Sequence, residues 1–501
     1  MRTSFLYKAL TVFGLSMLFT TLMHAEDPDE WFRNAEKEYE DFVKEANDSY
    51  NSFRDKVNKE YADFMAKPWT PVKTVDPIPR PGIPEPGPAV VPEGKDPLPT
   101  VPTPVIIIET IPETKPEPRP QPLEPITPEP VLPGVNPIRM EVYGTMTEVP
   151  GADLSTFRIT SRNSQGFAQG WRTLSGKNTN NLINGCLKVR DQLNLPDWHY
   201  ILYVDAVATA LTSPGSNEQT LLMGYLLNQS GYDIRFVYEQ EGGKLHLAFS
   251  STGTFYARAR YKLDNGWYYA YTRPKGLVSI CDFSTPGEKR MSLAIDRLPN
   301  LDFKPGNKRT VEVYNHPGLT LNVTTNQNLV DFFGDYPNAA VGESEDSRWS
   351  AHAEIPTSEE IRKEVYPTLR EAAKGLTQYE AVDLMLRVAQ SFPYEYDDVI
   401  WGKDRTFFMD ESWYYPYSDC EDHAINFSHL VKDILGLETA LVSYPGHLSA
   451  AVAITDGSEK GDYLVYNGKK YTVCDATYFY APAGSTASAY NNEKARLIPV
   501  K

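Results

Sequence analysis

The sequence predicts an α+β fold in which one unit, helices followed by an antiparallel sheet, occurs twice. The helix that begins at Leu195 and the helix that begins at Leu376 carry apolar residues in the same register, which indicates an internal repeat. In each copy a second helix follows and ends at a glycine, Gly231 or Gly436, which is a frequent helix stop. Each copy also has an Asn-Gly pair between two β-type segments, which predicts a hairpin. Helices that precede paired strands, rather than alternate with them, are typical of the α+β class.

The elements of the two copies match one for one. The first copy is predicted to have helices at 195–211 and 219–229 and strands at 234–238, 245–249 and 268–272. The second is predicted to have helices at 376–392 and 421–434 and strands at 439–444, 448–454 and 470–475. The hairpin turns fall at Asn265-Gly266 and Asn467-Gly468. The two copies define domains at 138–300 and 356–501, separated by a β-rich connector at 301–355.

The connector contains two strand-like segments, 310–314 and 319–323. They are predicted to form either a small sandwich of their own or the leading strands of the second copy.

The composition favours a folded protein with an acidic surface. Of the 501 residues, 41% are hydrophobic and 12% are aromatic, which is enough for more than one core. The formal net charge is −17, and a charge of this sign disfavours nucleic acid and anionic membranes as partners. No stretch after residue 25 has the roughly 18–20 consecutive apolar residues that a membrane span needs.

The first 25 residues have the features of a secretory signal peptide. Arg2 and Lys8 precede a mostly apolar run from residue 9 to residue 22, and Ala25 precedes an acidic stretch. We therefore expect cleavage after residue 25, export, and a periplasmic or cell-surface location, with an uncleaved anchor as the alternative. In an oxidising compartment one Cys186–Cys281 bridge is open to this chain, and the sequence does not decide it.

Residues 26–67 are predicted to contain an amphipathic helix, at 30–66. Apolar residues recur at steps of three and four and also every 11 residues, as at Tyr39, Tyr50 and Tyr61. Such a repeat corresponds to about 3.67 residues per turn, so a paired helix would be straight or slightly right-handed. The stripe predicts either oligomerisation or docking to an envelope partner, or packing against the chain's own globular part.

Residues 68–137 form a predicted proline-rich spacer. Proline occupies 23 of these 70 positions, which excludes a helix or a central strand. In the polyproline II conformation the chain rises about 3.1 Å per residue, so the segment would span on the order of 200 Å. We expect a passive tether, with a docking site for a proline-binding module as the alternative. Residues 105–108 are a strand-like interruption.

Cys420, His447 and Asp475 form the candidate catalytic group. Cys420 is predicted to begin a helix, where the helix dipole lowers the pKa of a thiol and favours the thiolate. His447 is predicted at the start of one strand and Asp475 at the end of the next, so antiparallel pairing can bring them together. Contact between a thiol, a base and an orienting carboxylate is what nucleophilic catalysis requires.

Residues 356–501 resemble a transglutaminase-like domain, which has a papain-like fold and a Cys-His-Asp triad. The matching motifs are Asp419-Cys-Glu-Asp-His-Ala424, Gly446-His447 and Cys474-Asp-Ala-Thr-Tyr478, in the order and spacing of that family. The resemblance implies that Cys420 is the nucleophile, His447 the general base and acid, and Asp475 the residue that orients it. It also implies a thioester intermediate and an oxyanion bound by the Cys420 backbone N–H and an upstream donor. No cofactor is expected, because thiol catalysis needs none.

A long aromatic loop precedes Cys420 in the second copy. It has 27 residues, 393–419, against five at the corresponding place in the first copy, and nine of the 27 are aromatic. Long loops beside active sites are usually functional, so this loop is predicted to wall the substrate cleft. The tentative substrate-binding residues, one of which is the candidate upstream donor, are Trp413, Tyr414, Tyr415 and Tyr417. The alternative is that the aromatic side chains only anchor the loop.

No metal site is predicted. Glu421, Asp422 and His423 are metal-binding residue types, but successive helix residues point in different directions and do not converge on one ion. They are interpreted as residues of the first helical turn, where acids are favourable to the dipole. Cys474 is expected to face away from Asp475 and to be inert.

The first copy is predicted to be a degenerate, catalytically dead version of the second. No cysteine is present at the matching positions 215–217. His246 is the candidate match to His447, but it has no nucleophile to activate.

Two functions fit the sequence. The first is an exported, thiol-dependent hydrolase or acyl transferase that acts on peptide or side-chain amide bonds, with hydrolysis favoured over crosslinking because water is always available. Its expected partner is a protein or peptide substrate. The second is a non-enzymatic, envelope-tethered binding protein on the same fold. The complete triad in one copy favours the enzyme.

Overall fold

The computed structural model describes residues 37–38, 41, 52–80, 88–90, 105–106, 118–122, 126–129, 135–176, 178–342, 344–490 and 492–500. The predicted signal peptide, most of the first half of the predicted N-terminal helix and much of the spacer lie outside these residues. The fold combines 35% helix with 23% strand in curled, mainly antiparallel sheets, which confirms the α+β class.

The helices are α1 (52–65), α2 (Ser164–Ser175), α3 (Asn180–Gln192), α4 (Asp197–Leu211), α5 (Asn217–Gln229), α6 (Gln327–Gly334), α7 (Ser350–Glu354), α8 (Glu359–Glu364), α9 (Tyr366–Ala372), α10 (Gln378–Gln390), α11 (Asp397–Ile400), α12 (Met409–Tyr414) and α13 (Cys420–Leu430). The four predicted helices of the repeat are therefore confirmed as α4, α5, α10 and α13. A π-helical turn, Val431–Leu435, extends α13 to Gly436, whose positive φ of 67° ends it.

The strands are β1 (Thr70–Val72), β2 (Ala89–Val90), β3 (Val105–Ile106), β4 (Ile138–Val142), β5 (Thr145–Val149), β6 (Ile234–Glu239), β7 (Leu245–Ser250), β8 (Thr254–Phe255), β9 (Arg260–Leu263), β10 (Gly266–Ala270), β11 (Val278–Cys281), β12 (Pro305–Glu312), β13 (Thr320–Asn326), β14 (Ala339–Ala340), β15 (Thr439–Tyr444), β16 (His447–Val452), β17 (Tyr463–Tyr466), β18 (Lys469–Cys474), β19 (Tyr478–Phe479) and β20 (Arg496–Pro499).

Two six-stranded sheets organise the molecule. The first has the strand order β1-β11-β6-β7-β10-β9, and the second has the order β20-β15-β16-β18-β17-β3. Apart from β1 and β3, the five remaining strands of each sheet follow the same order and the same connections. In both, a helix that precedes the sheet, α5 or α13, packs on the second strand of the leading hairpin, β7 or β16. The internal repeat seen in the sequence is thus a repeat of sheet topology.

Local sequence signals account for several element boundaries. Thr377 and Glu380 form a capping box at the start of α10, where the Thr377 hydroxyl accepts from the Glu380 N–H at 3.3 Å. The β17–β18 turn has positive φ at both Asn467 (48°) and Gly468 (77°), as a type I′ hairpin requires.

Each sheet has its own hydrophobic core. The first core is centred on α2, α4 and α5, with Trp171 and Tyr225 buried between them and the sheet. The second core lies between α10, α13 and the second sheet. The β12–β13 hairpin joins the second core through Val311 and Leu321 rather than forming a separate sandwich, whereas Leu329 and Phe332 of α6 lie in the first core, so the connector is divided between the two cores.

The described end of the N-terminal helix packs against the first copy. Tyr61, Ala62 and Met65 of α1 are fully buried in the first core. The Tyr61 ring stacks on Trp171 with 4.2 Å between the ring centroids. At this end of the helix the apolar stripe is therefore covered by the chain's own globular part.

Three described pieces of the proline-rich segment pair with other strands, which differs from the free tether expected. Strand β1 pairs with β11 at one edge of the first sheet, and β3 pairs in parallel with β17 at one edge of the second. Strand β2 pairs in parallel with β19. A sheet edge tolerates proline, and β2 and β3 contain no proline, so their N–H and C=O groups are free to pair.

All four cysteines, Cys186, Cys281, Cys420 and Cys474, are buried and unbridged. The bridge between Cys186 and Cys281 that the sequence left open is therefore not formed. In the part of the chain that is described, no helix combines the length and apolar character needed to cross a bilayer.

Two buried histidines each predict a contribution that destabilises the protein in mild acid. His199 stacks on Phe332 and His352 stacks on Phe408, and burial lowers their pKa values to about 4 and about 3. Because the unfolded chain takes up these protons below about pH 6.5 and the folded chain does not, each histidine should lower the free energy of unfolding by roughly 2 kcal/mol at pH 5. Buried carboxyl groups with raised pKa values, such as Asp397 and Asp404, act in the opposite direction. The histidine contribution is therefore measured by urea unfolding as the free energy at pH 7 minus that at pH 5, compared between the wild type and a variant that lacks one histidine.

The control for this prediction is a variant that removes one titrating group. His199→Gln should reduce the difference in unfolding free energy between pH 7 and pH 5, whereas His316→Gln, at a more accessible position, should leave it unchanged. An equal pH dependence in all three proteins would contradict the assignment.

Candidate functional site

Cys420 is the first residue of α13 and is only 2% exposed. The preceding residue, Asp419, caps the helix, and its backbone N–H donates to Asp422 Oδ2 at 3.3 Å. The thiol donates to Glu421 Oε2 at 3.2 Å, and the backbone N–H of Leu448 donates to the sulfur. The predicted position of the thiol at a helix N-terminus is confirmed.

His447 and Asp475 form a buried hydrogen-bonded pair. His447 begins β16 and Asp475 directly follows β18, which pairs with β16 in antiparallel fashion. The distance between His447 Nε2 and Asp475 Oδ2 is 3.0 Å. The other oxygen of Asp475, Oδ1, accepts from the Thr477 N–H at 3.0 Å and from its hydroxyl at 3.1 Å. The two strands thus bring together the residues that the sequence placed on them.

The environment of Asp475 keeps it ionised. Burial opposes the charge, but the His447 imidazole and the two hydrogen bonds from Thr477 outweigh burial and hold the pKa of Asp475 below its ordinary value. A charged Asp475 fixes the orientation of the imidazole and leaves Nδ1 as the ring nitrogen that is not bonded to it.

The thiol lies beside the strand that carries the imidazole. The residue whose N–H contacts the Cys420 sulfur, Leu448, directly follows His447. Tyr490 lies with its ring parallel to the His447 ring, with 4.2 Å between the ring centroids and 6° between the planes. Burial, and then the charges of Asp475 and Cys420, raise the pKa of Tyr490. All three predicted catalytic residues therefore border one small region, although the thiol hydrogen points to Glu421 in this structure.

The pKa of Cys420 is raised well above its ordinary value, against the lowering expected from the helix dipole. Burial is the largest cause, followed by the charges of Glu421 and Asp419. These effects outweigh the dipole because the thiol has no contact with bulk water and two carboxylates beside it. The neutral thiol is the resting form, so ionisation requires transfer of the proton to a base.

Five buried carboxyl groups converge behind Cys420, and they are called the acidic cluster here. Its members are Asp397 of α11, Asp404 of the loop that follows, and three residues around the start of α13: Asp419, Glu421 and Asp422. Oxygens of Asp397, Asp404 and Glu421 lie within 4.8 Å of one another, and so do those of Asp397, Asp419 and Asp422.

The acidic cluster changes the prediction about metals. The expectation of no metal site considered only α13, whose successive side chains diverge, but the aromatic loop adds Asp397 and Asp404 from outside the helix. Within the described residues, Asp404 Oδ1, Asp419 Oδ1 and Glu421 Oε1 are buried without a hydrogen-bond partner. Oxygen donors of this kind suit a hard divalent cation such as Ca²⁺, so these residues could hold one.

Like-charge repulsion is visible in the acidic cluster. Burial is the largest cause that raises the pKa of Asp397 to about 8 and that of Asp404 to about 7, and Glu421 is the next in both. The charge of Glu421 thus raises the pKa values of the other four carboxyl groups in the cluster.

The aromatic loop is mostly anchored by its own side chains. Trp413 is fully buried and its indole N–H donates to Asn426 Oδ1 at 3.2 Å. The guanidinium of Arg405 lies over the rings of Trp401, Phe407 and Tyr415. These contacts favour the anchoring role that was the alternative to a substrate wall.

Three of the four residues predicted to bind substrate are engaged in contacts within the protein. Trp413 and Tyr415 serve the loop packing just described, and the Tyr414 hydroxyl donates to Gln327 Oε1 at 2.7 Å. Tyr417 is 45% exposed and is the only one of the four with a large accessible surface. The structure gives Trp413 a structural role, because a side chain with no exposed area has no surface to offer a ligand.

Two tyrosines that the sequence did not single out border the catalytic group. Tyr490 covers the His447 ring, and Tyr394 is close enough to Cys420 for that thiol to help raise its pKa. Tyr394 is one of the nine aromatic residues of the loop 393–419, so the aromatic composition of that loop was a weak indication of its role. Tyr490 follows every recognisable motif, and no spacing rule points to it.

The first sheet has a different residue at the place of the thiol. Asn217 begins α5, and its Oδ1 accepts from the Leu245 N–H at 2.9 Å. This contact corresponds to the one between Leu448 N–H and Cys420, so Asn217 occupies the position of the thiol.

The residue that matches His447 also differs from the one expected. Lys244 precedes Leu245 as His447 precedes Leu448, so Lys244 is the match and His246 is not. His246 instead contacts Thr272 Oγ1 at 2.8 Å through Nδ1.

The second sheet thus holds an imidazole and an ionised carboxylate in direct contact, with a buried thiol at the start of the helix packed on it, and these are the three groups that thiol catalysis uses. Among the described residues, the matching positions of the first sheet do not repeat this combination. Comparison with protein-family models finds no match to this chain, and a search of curated proteins finds no significant match either.

Proposed function

We propose that this chain is a thiol-dependent amide hydrolase or acyl transferase of the transglutaminase-like type, with Cys420, His447 and Asp475 as its catalytic residues. The buried pair of His447 and Asp475, 3.0 Å apart and beside the thiol at the start of α13, carries the proposal. A buried imidazole hydrogen-bonded to a carboxylate, on a strand beside a buried thiol, has a direct chemical use, and burying these polar groups costs desolvation.

The first half of the proposed reaction forms a thioester. His447 Nδ1 takes the thiol proton as the sulfur attacks the carbonyl carbon of an amide, and Asp475 stabilises the imidazolium that results. The oxyanion of the tetrahedral intermediate accepts from the Cys420 N–H at the helix N-terminus. The intermediate then expels the amine, which leaves with the proton from Nδ1.

The second half releases the acyl group. His447 removes a proton from an incoming water or amine, which attacks the thioester carbonyl. The sulfur leaves as a thiolate and regains the proton, which yields a carboxylic acid with water or a new amide with an amine. Hydrolysis is the favoured outcome because water is present at high concentration.

The first copy is a degenerate partner domain in this proposal. Asn217 and Lys244 at the positions of the thiol and the imidazole provide neither nucleophile nor base of the required kind. The shared strand order supports a common papain-like ancestry of the two copies. Export to the periplasm or cell surface, directed by residues 1–25, belongs to the same proposal, as does a protein or peptide substrate.

A test of the proposed function is alkylation of the full chain by iodoacetamide at neutral pH, followed residue by residue with mass spectrometry. Cys420 should react at least about tenfold faster than Cys186, Cys281 and Cys474, which serve as internal controls. His447→Ala should remove this difference. If Cys420 reacts no faster than the other three, or reacts equally in the variant, the proposed nucleophile is wrong.

The outcome of the reaction is tested with protein substrates. Casein is incubated with the protein and with dansylcadaverine, and new N-termini and amine incorporation are measured by mass spectrometry and fluorescence. New N-termini indicate peptide hydrolysis, and fluorescent casein indicates transfer to an amine.

A non-enzymatic binding protein on the same fold is the second candidate. Its specific support is the closed state of the site, where Cys420 is 2% exposed and the Tyr490 ring covers His447. Slow alkylation of Cys420 together with an unchanged casein sample would favour it.

A further inference from the structure

A concentration of positive charge lines two adjoining cavities of about 140 and 300 Å³, and none of the three catalytic residues lines either cavity. The cavities share Arg80, Pro337 and Asn338, and together they are called the basic cleft. Six cationic side chains line it: Arg80, Arg258, Arg273, Arg348, Lys403 and Arg405. These residues come from the proline-rich segment, the first copy, the connector and the aromatic loop, which are distant in sequence and meet only in the folded chain.

The charges of the basic cleft are poorly compensated by the protein. Asp404 is the one carboxylate among the described lining residues, and Arg405 is paired with Glu411. The described residues offer no carboxylate within ion-pair distance of Arg80, Arg273 or Lys403. Such an excess is unexpected in a chain of net charge −17, whose cations have many acids to pair with.

Arg258 is held in the basic cleft by neutral groups. Its guanidinium donates to the carbonyl oxygen of Tyr271 at 2.8 Å and lies over the Trp198 ring at 4.8 Å. Burial lowers its pKa, which is the cost of holding a guanidinium without a carboxylate. The hydrogen bond and the cation–π contact fix the orientation of the guanidinium, and neither brings a negative charge to it.

Arg348 gives a second and independent indication. Its side chain is 90% buried, and its Nε and Nη1 atoms have no hydrogen-bond partner among the described residues. The nearest acids, Glu345 at 3.7 Å and Asp404 at 3.8 Å, are beyond hydrogen-bond distance. Arg348 therefore adds a cation to the wall of the cavity, and its nearest carboxylate oxygens stay beyond hydrogen-bond distance.

We propose that the basic cleft binds a compact polyanion whose charges are carried by phosphate or carboxylate groups. Arginine forks match both kinds of oxyanion with paired hydrogen bonds, and lysine adds a point charge. The cavity volumes fit a small molecule or a short acidic group rather than a folded partner. The proposal does not depend on the proposed catalytic function, since the triad residues do not line the basic cleft.

The test is thermal unfolding of the full chain with sodium pyrophosphate or sodium citrate as probe, at constant ionic strength set with NaCl. The protein is first freed of divalent cations with a chelating resin and kept in metal-free buffer, so that chelation of a cation by either probe does not affect the result. At saturation at least one probe should raise the melting temperature by about 3 °C or more above the NaCl control. Pyrophosphate alone acting would indicate a phosphate ligand, citrate alone a carboxylate ligand, and both a general polyanion site.

Exposed cations provide variants with little risk to folding. Lys403→Gln and Arg80→Gln should each weaken the apparent affinity for the active probe by about tenfold. Lys363→Gln, an equally exposed cation in a surface ion pair elsewhere, is the matched control and should respond as the wild type. No shift with either probe, or an unchanged response in Lys403→Gln and Arg80→Gln, would overturn the proposal.

Discussion

Replacing Cys420 with alanine is expected to reduce amide hydrolysis or acyl transfer by at least about 10⁴-fold, to the level of the uncatalysed reaction plus binding. The sulfur is the only atom that forms the covalent intermediate, so no neighbouring side chain can substitute for it. His447→Ala should cause a loss of similar size, and the double variant should lose no more, because the residues act as one unit. The rate is measured with the casein peptides whose cleavage or labelling the wild type produces.

Cys474 provides the matched control for that experiment. It is a buried thiol next to Asp475 in sequence, and its Sγ–H is directed to the Thr472 carbonyl at 3.5 Å. Cys474→Ala should keep most of the activity and lower the melting temperature slightly. Turnover that survives in Cys420→Ala, or is lost equally in Cys474→Ala, would show that the reaction does not use the proposed nucleophile.

Replacing Glu421 with glutamine is expected to stabilise the protein in EDTA by roughly 1–3 kcal/mol. Glutamine keeps the shape of the side chain and removes the Glu421 charge, which raises the pKa values of the other four members of the acidic cluster. In most proteins a substitution at a fully buried position lowers stability, so the predicted sign is unusual. Urea unfolding at pH 7 gives the free energies of unfolding of the two proteins.

Two further measurements serve as controls for Glu421→Gln: a substitution at an exposed glutamate, and unfolding in the presence of a divalent cation. Glu371→Gln, at an exposed position, should change the free energy of unfolding by no more than about 0.5 kcal/mol. Calcium chloride should stabilise the wild type more than Glu421→Gln, because a divalent cation compensates the same charges. A Glu421→Gln protein that is less stable than the wild type in EDTA would contradict the repulsion inferred for the cluster.

Patterns that act over short stretches of chain were sufficient to predict much of this fold. The helix periods gave α4, α5, α10 and α13, and the Asn467-Gly468 pair gave the hairpin. The pairing of His447 with Asp475 followed from the strand order, because adjacent antiparallel strands place the start of one beside the end of the next.

Features that depend on distant segments were not predictable in the same way. Asp397 and Asp404 reach the start of α13 only because the aromatic loop folds back, and no period in the sequence records that path. The pKa of Cys420 was predicted with the wrong sign because the helix dipole is a local effect, whereas burial and neighbouring charge depend on the whole fold. Tyr490 reaches His447 from a segment without regular structure on either side.

The pairing of the proline-rich segment with both sheets has a consequence for the order of events during synthesis. Thr70 and Val105 leave the ribosome early, but their partners, Ile280 and Leu464, follow about 210 and about 360 residues later. Neither outer strand can therefore be added while the chain is still short, and the last sheet edge is covered only when nearly the whole chain is available. Until then the unpaired edges are open to other chains, so a chaperone that delays folding would protect this protein most in its final third.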